Sequence, residues 1–317
     1  MKKNIFDLGN NIKLIDGYDL DFPYRTGTYV FLEDEITLIE TGPSKSIPHV
    51  KKGLEQLNID LSDIKHIIVT HIHLDHAGGL GLLLEDCPNA VCYVHPRGAR
   101  HLIDPSRLIQ GARAVYGDEF DKMYSPIIPV PENKVIIKED GDTLTIGKNR
   151  TLTFYHTKGH SDHHFSIHDS LSNGIFTGDT IGVSYDEVLK DFNVNIYIPS
   201  TSPNQFRPRD MLESLERIKN MQVDAIYFGH FGAVRDVEEV YKQIQYWLPI
   251  FMELGEQAYN EGRDYRWLGQ KMYEKIQSVL REKGVLDSHP VYKFVEMDCL
   301  VGAMGIIDYL SKQKGTA

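Results

Sequence analysis

The sequence predicts an α/β protein that ends in a helical extension, and three observations carry that prediction. Short β-rich runs alternate with turns through the first third of the chain, from Ile12 to Ile39. Further strand-like runs resume after a proline-interrupted stretch and are broken by single helices. From Val237 onward the pattern is helical and amphipathic, with Tyr241, Ile244, Trp247 and Leu248 on one face. The expected division is a body over residues 1–236, carrying a helical insertion at about 96–131, and a helical extension over 237–317 packed on that body.

In chain order, Ile12–Ile15, Gly27–Leu32 and Ile36–Ile39 read as strands, with turn points at Gly9-Asn10 and Glu33-Asp34. A helix is expected from Ile47 to Leu57, with Ser46 as its cap and Pro48 tolerated in the first turn. The apolar strand Ile67–Val69 runs directly into a histidine cluster, a helix continues over Gly79–Leu84, and Ala90–Val94 is a buried strand. Prolines 105, 126, 129 and 131 break the insertion into helical pieces. Strands follow at Lys134–Lys138, Thr143–Ile146, Leu152–His156, Phe165–Ile167 and Gly174–Phe176, then a helix at Arg209–Met221 and a strand at Ala225–Phe228.

Composition narrows the function classes. With 34 basic and 45 acidic side chains the 317-residue chain carries a formal charge of −11, which works against a nucleic-acid partner, whose phosphates demand a basic face. The cysteines are Cys87, Cys92 and Cys299, too few and odd in number for a disulfide framework. The first twenty residues lack an apolar run of signal-peptide length, and no stretch approaches the roughly 18 to 20 apolar residues of a membrane span. The expectation is a cytoplasmic protein acting on a small molecule, without nucleic acid or membrane, and compatible with a homodimer.

Chemistry concentrates in Thr70-His71-Ile72-His73-Leu74-Asp75-His76, directly after a strand. Imidazole and carboxylate suit zinc, iron and manganese. Four such groups on so short a segment cannot all reach one ion with good geometry, so the segment points to two ions. Three more candidates stand just past strands and behind a glycine: His160 in Gly159-His160, Asp179 in Gly178-Asp179 and His230 in Gly229-His230.

The run T-H-I-H-L-D-H-A-G-G at 70–79, followed by G-H at 159–160, T-G-D at 177–179 and G-H at 229–230, resembles the ordered signature of the metallo-β-lactamase superfamily over roughly residues 10 to 232. The resemblance implies an αββα sandwich with metals at one edge of two packed sheets. It implies that His71, His73 and His160 hold a first divalent ion, that Asp75, His76 and His230 hold a second, and that Asp179 bridges them, with zinc the first expectation and iron or manganese compatible. One departure is Glu40, where relatives more often carry aspartate; it is expected to orient a ligand.

The implied reaction is hydrolysis of a small ester, thioester or lactone by a metal-bridging hydroxide, with Asp75 orienting it or taking its proton, and phosphodiester cleavage is the alternative. A bridging aspartate argues against antibiotic hydrolysis. His73 stands where redox diiron relatives carry glutamate, and a protein reduced to binding alone would have lost ligands. The segment Asp179–Ser184 lacks the glycine-rich, cysteine-bearing continuation of glyoxalase II, although the helical tail is similar in placement. For substrate contacts, Phe22 and Tyr24 offer an apolar wall and Arg25 a partner for a carboxylate or phosphate, or else this segment is an ordinary surface loop. Tyr185 and Tyr197 are candidate donors to a developing oxyanion, and His163 and His164 candidate partners of the ligands.

Overall fold

The computed structural model describes residues 4–315, and its strands and helices are numbered here in chain order. The chain forms two compact units: residues up to 156, 163–178 and 224–235 make one, and residues 157–162, 179–223 and 236 onward make the other.

In the first unit a seven-stranded sheet runs in sequence order through β1 (Ile5–Gly9), β2 (Ile12–Asp16), β3 (Gly27–Phe31), β4 (Ile36–Ile39), β5 (Ile64–Ile68), β6 (Val91–Val94) and β7 (Val135–Ile137). The first four strands are antiparallel, with short turns between β1 and β2 and between β3 and β4 and a longer loop over residues 17–26 between β2 and β3. From β4 to β7 the pairing is parallel, and parallel neighbours need crossovers. Helix α1 (Ile47–Gln56) supplies one, α2 (Leu74–Ala77) and α3 (Leu80–Asp86) the next, and α4 (Pro96–Ile103), α5 (Ser106–Tyr116) and α6 (Phe120–Tyr124) the last. The last crossover is the expected helical insertion. Pro48 sits in the first turn of α1 as expected, but the Ser46 hydroxyl caps nothing, because a 3₁₀ turn over Ser44–Ser46 already leads the backbone into the helix.

A six-stranded sheet packs on the first, in the order β15 (Ala233–Val234), β14 (Ala225–Phe228), β11 (Gly174–Gly178), β10 (Phe165–Asp169), β9 (Arg150–His156) and β8 (Thr143–Gly147). Alternation along the strands decides the two cores. Ile68, with Leu14, Tyr29 and Phe31, meets Phe154, Phe165 and Phe176 between the sheets. Its neighbour Ile67 points to the other face and packs with Val50, Leu54, Leu80 and Leu84 of the helices. The Tyr29 hydroxyl lies 2.6 Å from the Phe228 carbonyl and 2.7 Å from that of Gly232, joining the sheets near the end of β14.

The second unit holds the short pair β12 (Val183–Ser184) and β13 (Tyr197–Ile198), then α7 (Pro208–Asn220), α8 (Val237–Asn260), α9 (Tyr265–Glu282) and α10 (Val291–Lys314). Asp236 and Asp264 cap α8 and α9 through the backbone N–H groups of Glu239 and Trp267. The stripe expected on the tail is buried as drawn: Tyr241, Ile244, Trp247 and Leu248. Among the described residues no helix is long and apolar enough to cross a membrane. All three cysteines are free and buried, and burial pushes the Cys87 thiol up to about 11 and Cys92 to about 12, so neither is a reactive thiolate.

Candidate metal centre

Strand β5 delivers the histidine cluster, and the chain turns there into the single-turn helix α2. His73 occupies the N-cap position, and its carbonyl accepts the N–H groups of His76 (3.0 Å) and Ala77 (2.9 Å). That turn brings Asp75 and His76 round toward His230, at the end of β14. Asp75 Oδ2 lies 3.7 Å from His76 Nε2 and 3.5 Å from His230 Nε2. The donor atoms of these three residues fall within 4.8 Å of one another. His71 Nε2 and His73 Nδ1 face each other at 3.1 Å, and the His71 and His76 rings are 4.2 Å apart. His71 and His76 are buried, while the Asp75 side chain keeps 22% of its surface exposed, so the carboxylate can still be reached. His164 and His163 lie beside His71 and His73, with ring centroids 5.0 and 5.4 Å away.

Glu40, at the end of β4, shapes this cluster from behind. Oε1 accepts the Thr70 N–H at 3.0 Å and Oε2 faces His76 Nδ1 at 3.3 Å. The residue holds φ at +65°, a left-handed conformation that costs a long side chain energy and persists where surrounding contacts enforce it. Those contacts are the Glu40 N–H on the Ile68 carbonyl (2.8 Å) and the Thr41 N–H and hydroxyl on the His76 carbonyl (3.1 and 2.9 Å). The glycines before the strand-end ligands serve two different ends. Gly178 both turns the chain, with φ +48°, and approaches its neighbours closely, since a Cβ there would stand 2.4 Å from the Thr70 hydroxyl. At Gly229 close approach alone decides, a Cβ there standing 2.6 Å from the His76 ring.

In the second unit, His160 Nε2 and Asp179 Oδ2 are 3.8 Å apart, and both residues are buried. Ser200 serves both: its carbonyl lies 3.0 Å from His160 Nδ1 and its hydroxyl donates to Asp179 Oδ2 at 3.0 Å. No motif marks Ser200 in the sequence.

The early loop is built on Asp16, whose two carboxylate oxygens accept the N–H groups of Tyr18 and Tyr24, each at 3.0 Å. Tyr18, Leu20, Asp21 and Tyr24 all take positive φ, a concentration of strained backbone typical of functional loops. The Tyr24 ring packs edge-on against Phe6 and Phe231 at 5.8 and 5.5 Å. Phe22 is half-buried on the same loop. Arg25, expected to meet a substrate anion, has its Nε 3.3 Å from Asp19 Oδ2, with Asp19 buried and Arg25 keeping 10% of its side chain exposed. Burial lifts the Asp19 carboxyl to about 6 against the pull of Arg25, and the charge of Asp75 adds to the rise. Burial also raises the Tyr116 phenol, with Asp75 again contributing. The insertion therefore reaches the metal-ligand segment: Leu74 packs with Phe120 and Tyr124 in one cluster that Tyr116 also joins. Sequence alone does not mark Asp19, because one acid in a loop carries no spacing signal.

Two expected oxyanion donors are otherwise engaged. The Tyr185 hydroxyl donates to Asp298 Oδ2 at 2.6 Å and the Tyr197 hydroxyl to Asp186 Oδ2 at 2.5 Å, which ties them to carboxylates in their own unit. Of the arginines in the insertion, Arg113 pairs with Asp121 at 2.7 Å and lies over the Phe120 ring, a packing role.

The family model for the metallo-beta-lactamase superfamily matches residues 24–230, and the chain belongs to that superfamily. It is a hydrolase of that superfamily, with the metallo-β-lactamase fold and a C-terminal helical region. It is 28% identical over 231 residues, 71% of this chain and 80% of the relative, to the metallo-beta-lactamase fold-containing protein ST1585 of Sulfurisphaera tokodaii. It is also 28% identical over 186 residues to the human acyl-coenzyme A thioesterase MBLAC2, spanning 52% of this chain and 55% of that relative. Among solved structures, metallo-beta-lactamase family protein TTHA1429 from Thermus thermophilus superimposes with a TM-score of 0.69 at 19% identity, covering 97% of this chain and 95% of that one.

Proposed function

We propose that the chain is a binuclear metal-dependent hydrolase of small thioesters or related carboxylic esters. One observation carries the reading: the distances of 3.5 and 3.7 Å that separate Asp75 Oδ2 from the His230 and His76 nitrogens. Donors about 2.1 Å from a four-coordinate ion stand roughly 3.4 Å from one another. The three donors thus sit where a shared cation would hold them, and their chemistry suits zinc first, with iron or manganese compatible.

The ligand assignment extends to all seven residues of the ordered motif. His71, His73 and His160 would hold one ion, Asp75, His76 and His230 the other, and Asp179 would be shared by both. Support comes from the family match across 24–230 and from the 3.1 Å facing of His71 and His73 and the 3.8 Å approach of His160 and Asp179. Divalent ions there would acidify water from a pKa of 15.7 to about 7 and polarise a carbonyl.

The chain's own residues do the rest. Asp75, partly in solvent beside two imidazoles, is placed to accept a proton. Glu40 holds His76 by its Nδ1 side and so directs Nε2 toward Asp75. Arg25, fixed by Asp19, is the group for a substrate's anionic portion, and Phe22 and Tyr24 line its apolar side. A thioester leads the substrate classes because the human relative is named an acyl-coenzyme A thioesterase, and an Aspergillus fumigatus protein 25% identical over 254 residues, of which the chain spans 45%, is named an atrochrysone carboxyl ACP thioesterase.

The test is a panel of acyl thioesters, lactones and a bis-aryl phosphodiester, run with the native protein and with Asp75→Ala. Thioester turnover that Asp75→Ala abolishes, with the fold intact, is expected. Turnover confined to the phosphodiester would overturn the substrate class, and full activity in Asp75→Ala would overturn the role of Asp75.

A further inference from the structure

Helix α10 lies far beyond Asp179 in sequence, yet it touches the segment that holds Asp179 and His160. Five of its residues, Asp298, Gly302, Gly305, Tyr309 and Lys312, follow one another at spacings of four, three, four and three, so they share one face of the helix. Each grips the segment 185–206. Asp298 accepts the Tyr185 hydroxyl at 2.6 Å. The Gly302 carbonyl accepts the Thr201 hydroxyl at 2.9 Å. Tyr309 meets the Phe206 ring at 5.9 Å, and Lys312 Nζ donates to the Asn204 carbonyl at 2.6 Å. Gly305 permits the closest approach: a Cβ on it would lie 1.8 Å from the Thr201 carbonyl oxygen and 2.6 Å from the Ser202 carbonyl carbon. No side chain fits there.

The gripped segment includes Ser200. A carbonyl oxygen only accepts, so the 3.0 Å contact of His160 Nδ1 with the Ser200 carbonyl requires the proton on Nδ1. That fixes the tautomer in which Nε2 keeps its lone pair, the state a metal needs. The Ser200 hydroxyl meanwhile pins Asp179 Oδ2. Any displacement of Ser200 therefore acts on both residues together.

We propose that α10 is the template that positions His160 and Asp179 for metal binding, acting through Thr201 and Ser200, with Gly302 and Gly305 as positioning residues. This gives the helical extension a role at the centre rather than a purely architectural one. It rests on the reading of His160 and Asp179 as ligands.

The test measures metal dissociation constants by chelator competition on the full chain, with the visible spectrum of the cobalt-loaded protein as a report of coordination geometry. Gly305→Ala should weaken binding about 10- to 100-fold and alter the cobalt spectrum. Thr201→Val, which keeps the shape and removes one hydrogen bond, should weaken it roughly 2- to 10-fold and gives the answer if Gly305→Ala fails to fold. Leu300→Ala, on the exposed side of α10, should leave the constant within twofold. His160→Ala is the internal reference and should lose metal. If His160→Ala loses metal while Thr201→Val binds as the native protein does, the template role is overturned. The same holds if Leu300→Ala matches the loss. If His160→Ala keeps its metal, the ligand assignment itself fails instead.

Discussion

Replacing Glu40 by glutamine isolates the contact behind His76 with almost no change in shape. The amide oxygen can still accept the Thr70 N–H now held at 3.0 Å. What changes is the partner 3.3 Å from His76 Nδ1, where an acceptor oxygen becomes an NH₂ that cannot accept a proton. The carboxylate oxygen faces the imidazole as a buried charge contact rather than a hydrogen bond, and a buried polar group that loses its partner costs about 1–3 kcal/mol. At 3.3 Å the contact belongs in the lower half of that range, and about 1.5 kcal/mol corresponds to roughly tenfold in a dissociation constant. His76 is only 1% exposed, so water cannot stand in for the lost acceptor. Chelator competition should therefore show metal binding weakened about tenfold in Glu40→Gln, with circular dichroism and thermal midpoint near native. Glu40→Asp should fall between the two, because it restores the charge but shortens the reach. Binding within twofold of native in Glu40→Gln would refute the claim that Glu40 orients a ligand.

Other consequences concern stability. Arg150 is buried with both amino groups committed, Nε and one terminal nitrogen to Asp169 at 2.8 and 2.6 Å and the other to Glu33 at 2.9 Å. Arg150→Ala strands the buried Asp169 charge and should cost about 3–5 kcal/mol in urea unfolding, whereas a loss under about 1 kcal/mol would contradict it. Burial lifts the Asp186 carboxyl from 3.8 to about 6, opposed by its bond from Tyr197. A folded-state value above the unfolded one means this group favours the fold below about pH 4 and loses that contribution as pH rises through 6. Asp186→Asn should therefore match the native protein at about pH 4 and exceed its stability by roughly 3 kcal/mol at about pH 7, and an unchanged pH profile would count against it.

Periodicity and punctuation made most of the architecture legible. Buried strands such as Ala225–Phe228 are continuous apolar runs, and the tail repeats its apolar positions at helical spacing. Strand β1 leaves no such mark because its residues are half-buried and it draws its pairing from β2, a tertiary contact that local pattern does not record. The two-residue strands β12, β13 and β15 are too short to leave a period. Ser46 stands in a capping position by sequence, yet the 3₁₀ turn before it makes the cap unnecessary. In the site, the histidines and aspartates announce themselves by clustering. Their supports do not: Asp19, Ser200 and Gly305 act through positions set by packing between distant segments, and serine, glycine and aspartate are too common in loops and helices to stand out.

Metal content bears most directly on the proposed centre. Protein purified without chelator and then equilibrated with zinc should carry about two ions per chain by elemental analysis. His230→Ala should carry about one, having lost a ligand of the Asp75–His76–His230 group. A native chain that holds no metal after equilibration, or a His230→Ala chain that still holds two with native affinity, would contradict a binuclear centre built on these residues.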